Sequence, residues 1–258
     1  MSEQWISSNV TLVEPQEDLA AFGETSHPKI ASGVTGNGKL VRWFELCLVL
    51  AVTFGGALFS SLDLLQNGPN ALAHEQSFRW IYGLLREITC LALLGYVLWR
   101  RKLRFRDLGL RWSMRDVGMG LVVAIIAYIT YAFGYTFVHF VHRAVLTHAT
   151  GGVTAREMFT HLSVATIVAF LVNPFVEELI VRAYLMTEIG ELTGSWTLAA
   201  AVSVAVQTSY HLYYGWVTAL SLGFQFAIFA IYYARSRRAT PIVVAHGIFD
   251  ILGLIHVW

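Results

Sequence analysis

Two adjacent carboxylates, Glu177 and Glu178, precede Arg182 in the stretch Asn173-Pro174-Phe175-Val176-Glu177-Glu178-Leu179-Ile180-Val181-Arg182. The run around them is apolar. An ionisable group at bilayer depth costs roughly 2.5–3.5 kcal/mol on insertion scales, so three in one run call for a use. On a helix Glu178 and Arg182 are i,i+4 neighbours and can pair. Glu177 turns about 100° away and needs a different partner. Two further polar centres follow in apolar surroundings: His211, and His246 with Asp250 at i,i+4. A carboxylate with imidazoles is a set for activating water. Glu177 can accept a proton from it as general base. The histidines can donate to a developing oxyanion or, when neutral, ligate a metal. Either route ends in hydrolysis of an amide or ester. The sequence contains no Gly-x-Ser-x-Gly elbow and no His-Glu-x-x-His pair, which removes the usual serine and zinc-protease arrangements.

The chain that must position these groups has 258 residues, 56% hydrophobic and 14% charged, with a formal net charge of +1. Soluble domains carry about 25% charged residues. The composition predicts an all-α, polytopic transmembrane helical bundle of about seven spans. Residues 1–40 are polar and aperiodic and read as a flexible cytoplasmic tail. They lack the apolar core of a signal peptide, so the first span is expected to act as an uncleaved anchor. Residues 41–99 hold two accessory spans, 41–64 and 79–99, joined by a loop with Asn67-Gly68-Pro69-Asn70. Cys47 and Cys90 fall within them and are expected to be buried thiols without a disulfide.

Residues 100–258 hold five more spans. Ser113 is expected to cap the third, with Asp116 in its first turn, and that span runs to about 140. The fourth, about 160–189, carries the two glutamates, and Pro174 is expected to bend it. The fifth starts at the Ser195 cap and ends at His211. Tyr213-Tyr214-Gly215-Trp216 reads as an interfacial aromatic belt. The sixth covers about 217–234, and Thr240-Pro241 reads as the cap and first residue of the seventh. The active groups lie roughly 10 to 25 Å from the cytoplasmic ends of three helices, which must tilt or kink to bring them together.

Arg100-Arg101-Lys102-Leu103-Arg104-Phe105-Arg106, continuing to Arg111 and Arg115, marks a cytoplasmic loop, as does Arg235-Ser236-Arg237-Arg238. With the N-terminus cytoplasmic, seven spans put both loops inside. The reading is an integral protein of the plasma (inner) membrane. The basic 100–115 loop also suits anionic lipid headgroups. Nothing points to nucleic acid. His139, His142, His148 and His161 crowd one loop, but their spacing is not diagnostic of a metal site.

Glu177-Glu178-x-x-x-Arg182, a later helix ending in His211, and His246-x-x-x-Asp250 in the last span together resemble the CPBP (Abi) family, the CAAX-protease and bacteriocin-processing intramembrane endopeptidases. Asp107-Leu108-Gly109-Leu110 resembles a segment common there. The resemblance covers roughly residues 100–258. It implies Glu177 as general base, Glu178 paired with Arg182 to hold the helix, and His211 binding or orienting water. It implies that His246 with Asp250 stabilises the oxyanion or the site geometry. The family is often called metal-dependent, while structural views of its eukaryotic-type members favour a metal-free glutamate mechanism; if a divalent metal such as zinc is used, Glu177, His211 and His246 are the ligand set. The implied substrate is a membrane protein or lipidated peptide. Two positions depart from the family pattern: Gln207 stands where phenylalanine is usual, and Asp250 where asparagine is usual. An ionised Asp250 accepts hydrogen bonds but cannot donate one. It either carries a proton, positions a histidine or ligates a cation. Two other readings use the same residues: a non-proteolytic peptide-binding or bacteriocin-immunity membrane protein, and a transporter with a proton relay. No inverted repeat supports the transporter.

Overall fold

The computed structural model describes residues 36–67, 76–145 and 163–257. The tail at 1–35, the loop at 68–75 with most of its turn residues, and the span-four approach at 146–162 with His148 and His161 lie outside the described residues. Where the chain is described it is helical and without strands, in seven helical rods of which five are long and apolar enough to cross a membrane. It is an all-α membrane bundle.

The first rod is α1 (Gly36–Leu50), a π turn (Ala51–Gly55) and α2 (Gly56–Asn67). It begins ahead of the expected start at residue 41. The second is α3 (Gln76–Arg100) and the third α4 (Met114–Val145). α5 (Val164–Glu177) runs into a π segment (Glu178–Tyr184) and then α6 (Leu185–Thr193), together one 30-residue rod. α7 (Trp196–Tyr210), α8 (Trp216–Ser236) and α9 (Thr240–Val257) complete the order.

α4 is apolar on every side, as a helix between protein and lipid must be. Ile125, Ile129, Phe133 and Phe140 face outward, while Val123, Ala124 and Ala127 are buried. Its inner side packs on α8 and α9. At Gly134 a Cβ would fall 2.6 Å from the Phe224 ring of α8, so only glycine permits this approach. α7 lies against α6 and α8 and also touches α2. At 15 residues it spans only about 22 Å, short of the ~30 Å hydrocarbon core.

Ser113 accepts from the Asp116 N–H at 3.1 Å and Ser195 from the Leu198 N–H at 3.2 Å, as expected of caps. Thr240 does not cap its own helix. It is fully buried, and its Oγ1 accepts from the Arg111 N–H at 2.9 Å and donates to the Arg111 carbonyl at 2.8 Å. The Asp107-Leu108-Gly109-Leu110 segment explains that choice. Residues Phe105–Leu108 form a 3₁₀ turn, Gly109 has φ +88°, and its carbonyl accepts from the Ala239 N–H at 3.0 Å. A Cβ on Gly109 would collide with the Arg237 carbonyl. The segment therefore clamps the start of α9, six residues before His246.

Glu45 pairs with Arg100 and Arg101, and Arg101 also reaches Glu188 at 2.6 Å. Arg42 joins Glu188 and Glu191 at 2.8 and 2.7 Å. These bonds tie α1, α3 and α6 at one end. Two arginines of the basic loop are thus used internally, while Lys102, Arg104, Arg106, Arg111 and Arg115 stay exposed. Both cysteines are free, but only Cys90 is buried. Cys47 is on the exposed face of α1, because the helix turns that side outward.

Candidate active site

Glu177 is the last residue of α5 and is buried. Its Oε2 accepts from Gln207 Nε2 and from the Tyr210 hydroxyl, both at 2.8 Å. Both partners stand on α7, one turn apart. An ionised carboxylate only accepts, so two donors on one oxygen suit it. Tyr210 is itself held by the first rod. Its ring stacks on Phe54 with centroids 4.6 Å apart, and its carbonyl accepts from Ser61 Oγ of α2.

Glu178 opens the π segment and is fully buried. Its Oε1 faces His246 Nδ1 at 2.8 Å. Pairing with Arg182 was the expectation; that contact exists but is long, Oε2 to Nε at 3.8 Å. The reason is local geometry. A π segment closes its turn at i→i+5 and not i→i+4, so a residue four positions on no longer stacks directly above. Arg182 instead spends its guanidinium on α7 and α8. Nη1 donates to Ser203 Oγ at 3.0 Å, and Nη2 donates to Gln207 Oε1 and to the Phe226 carbonyl at 3.3 Å. Gln207 therefore accepts from the buried cation with one end and donates to Glu177 with the other.

His246 and Asp250 come from α9. His246 Nε2 lies 3.5 Å from Asp250 Oδ1 and 4.0 Å from Glu177 Oε2. Glu177, Glu178, His246 and Asp250 are thus in one cluster. His211 caps α7 and points its Nδ1 at the Gln207 carbonyl, 2.8 Å away, which leaves Nε2 uncommitted by that bond. Its ring packs 5.0 Å from Phe226, the ring that also lies 5.7 Å from the Arg182 guanidinium. Tyr213 and Tyr214 stack nearby, in the 3₁₀ turn after His211. Burial holds both hydroxyls above the usual tyrosine range, so they remain O–H groups.

Three site residues carry no mark in the sequence reading. Glu87 of α3 is buried, and Asn173 of α5 lies between it and Glu177. Turned to satisfy its neighbours, the Asn173 amide nitrogen sits 3.3 Å from Glu87 Oε1 and 3.3 Å from Glu177 Oε1. Tyr210 is the third. Glu87 could have been found by the rule that singled out Glu177, since it too is an acid within an apolar helix. It stands next to Arg86 and reads as half of a surface pair. His139 and His142 lie within the last turns of α4 and not in a loop: His142 packs edge-on to Trp216 at 5.0 Å and His139 stacks on Tyr135 at 5.6 Å, which are packing contacts.

Among the described residues no group of three or more His, Cys, Asp or Glu side chains is placed to hold a metal ion. His246 gives Nδ1 to Glu178, and two donors hold Glu177 Oε2, which leaves His246 Nε2, His211 Nε2 and Glu177 Oε1 outside those bonds.

α3, the start of the basic loop's 3₁₀ turn and α5 border an open apolar groove of about 530 Å³. Ile88, Leu91, Leu171, Phe175 and Leu179 line it. Phe175 and Leu179 belong to the rod that carries the two glutamates, but no site residue lines the groove.

No curated protein and no solved structure matches this chain. Its carboxy-terminal part does match a family. Residues 159–252, the segment that carries Glu177, Glu178, Arg182, His211, His246 and Asp250, match the family described as Rce1-like, type II CAAX prenyl endopeptidase, in agreement with the resemblance carried by the motifs.

Proposed function

We propose that this integral membrane protein is an intramembrane endopeptidase that hydrolyses a membrane-bound or lipidated polypeptide, with Glu177 activating water. The observation that carries the reading is the Glu177 carboxylate. One oxygen is anchored by Gln207 and Tyr210, and two imidazoles stand around it inside an apolar bundle.

The anchored oxygen leaves Oε1 to take a proton from water. The resulting hydroxide adds to the substrate carbonyl carbon, and the carbonyl oxygen becomes an oxyanion. Glu178 and Asp250 flank the His246 ring, and its Nε2–H donates to that oxyanion. When the C–N bond breaks, the amine leaves with the proton that Glu177 took. His211, oriented by the Gln207 carbonyl, turns Nε2 to the water. Asp250 positions His246, which resolves its lack of a donor. Low exposure around the carboxylate limits bulk water and strengthens each of these interactions.

The apolar groove bordered by α3 and α5 suits a lipid-bearing substrate, because a prenyl or acyl tail can lie along it. CAAX-type processing is the corresponding reaction. The exposed Lys102, Arg104, Arg106, Arg111 and Arg115 face an anionic cytoplasmic leaflet in this reading, with the N-terminus on that side.

The test profiles membrane and secreted peptides by mass spectrometry in cells carrying the wild type or Glu177→Ala. Wild-type-only chain ends are expected, and the purified enzyme is expected to keep cutting those substrates after chelation of divalent metal. Equal cleavage with Glu177→Ala would end the reading. Absence of cuts with either protein, both folded, would favour peptide binding without hydrolysis.

A further inference from the structure

The Asn173 amide can be set in either of two ways. With its nitrogen toward Asp250 Oδ2, at 3.5 Å, the oxygen would face only acceptors; with the nitrogen turned the other way it donates to Glu87 Oε1 and Glu177 Oε1, each at 3.3 Å, and hydrogen bonding selects this arrangement. An amide nitrogen carries two N–H groups, so the second orientation satisfies two acceptors at once. Two acceptor oxygens on that side outweigh one on the other. Asp250 keeps His246 in either case.

Glu87 decides the balance. Without it, one acceptor would face the amide on each side, and Asn173 would be free to turn to Asp250. Glu177 Oε1 would then lose its donor and gain the amide oxygen as a neighbour. Oε1 is the oxygen left over once Gln207 and Tyr210 hold Oε2. Glu87 is buried, and its Oε2 has no hydrogen-bond partner among the described residues. A carboxyl is costly to bury in this way unless something requires it. It comes from α3, outside the segment that matches the family.

We propose that Glu87 is a positioning residue for the site: it holds the Asn173 amide turned toward Glu177 and so fixes the oxygen that meets water. This rests on the hydrolytic reading above. Glu87 acts through Asn173 and has no contact with the reacting atoms of its own.

The test uses the full chain reconstituted in lipid vesicles, a lipidated peptide substrate found by the chain-end profiling, and steady-state kinetics. Glu87→Leu is expected to lower kcat about tenfold or more with KM within about twofold, the pattern of a lost transition-state contact. Glu87→Gln keeps an acceptor oxygen and is expected to restore most of the rate. Asn173→Leu is expected to match Glu87→Leu, and the double variant to be no slower than Asn173→Leu alone. Glu87→Met repeats the comparison with a different apolar side chain if the leucine variant does not assemble. A wild-type kcat in the apolar variants, equal loss in Glu87→Gln, or losses that multiply in the double variant would overturn the proposal. Glu177→Ala is run alongside. If it still cuts, the hydrolytic reading has failed; if it is inert while Glu87 variants behave as wild type, only the role of Glu87 has failed.

Discussion

Gln207 links two charges that would otherwise be held separately. Its oxygen takes an N–H from the buried Arg182 guanidinium, and its nitrogen donates to Glu177. A phenylalanine, usual at this position in the family it resembles, could do neither. The residue is thus absorbed into the support of Glu177. Tyr210 shares that task and can be tested more cleanly. Tyr210→Phe keeps the stack on Phe54 and removes one hydroxyl donor. A hydrogen bond to a charged group is worth about 1.5–3 kcal/mol, so kcat/KM is expected to fall about 10- to 100-fold while membrane abundance stays unchanged. Steady-state kinetics in detergent or vesicles would check this. A wild-type rate would mean that Gln207 alone suffices.

Glu177, His246 and Asp250 were legible because an apolar helix makes every ionisable group conspicuous. Glu178 was legible as a structural acid paired with Arg182, and the structure adds a shorter contact to His246. Sequence spacing assumes 3.6 residues per turn, and the π segment over Glu178–Tyr184 breaks that assumption without any local signature. Arg182 consequently engages Ser203, Gln207 and Phe226, all distant in sequence. Asn173 and Tyr210 were unmarked because an amide or an aromatic side chain at a helix end is common.

Among the elements, the short segment around Gly109 does the most for its length. It fixes where α9 begins, through Gly109 to Ala239 and Arg111 to Thr240. The depth of His246 and Asp250 follows from that start. The segment was recognisable in the sequence, but its action was not, because its partners lie about 130 residues further on. Gly109→Ala places a Cβ against the Arg237 carbonyl in a conformation that only glycine adopts without strain. The cost is expected to exceed about 1 kcal/mol. Thermal unfolding in detergent should show a lowered midpoint, with activity falling as α9 shifts. An unchanged midpoint would mean that the clamp is dispensable.

At the scale of the molecule, the number of helical rods followed from hydropathy, and so did the order of the polar centres along them. What hydropathy did not reveal is that the first two rods, through Phe54, Ser61 and Glu87, take part in the site as well as in the bundle. Contacts of this kind depend on which face of a helix turns inward, and an apolar helix surrounded by lipid has few polar residues to report it.

The 15-residue α7 has a consequence for the surrounding lipid. A rod of about 22 Å cannot reach both surfaces of a ~30 Å hydrocarbon layer. Acyl chains next to it would compress, and headgroups and water would dip toward His211 at its end. The protein would then pull its own water supply inward by hydrophobic mismatch. Reconstitution in phosphatidylcholines of increasing chain length is expected to lower kcat steadily as the bilayer thickens around that dimple. A rate independent of thickness would mean that water reaches Glu177 through the protein alone.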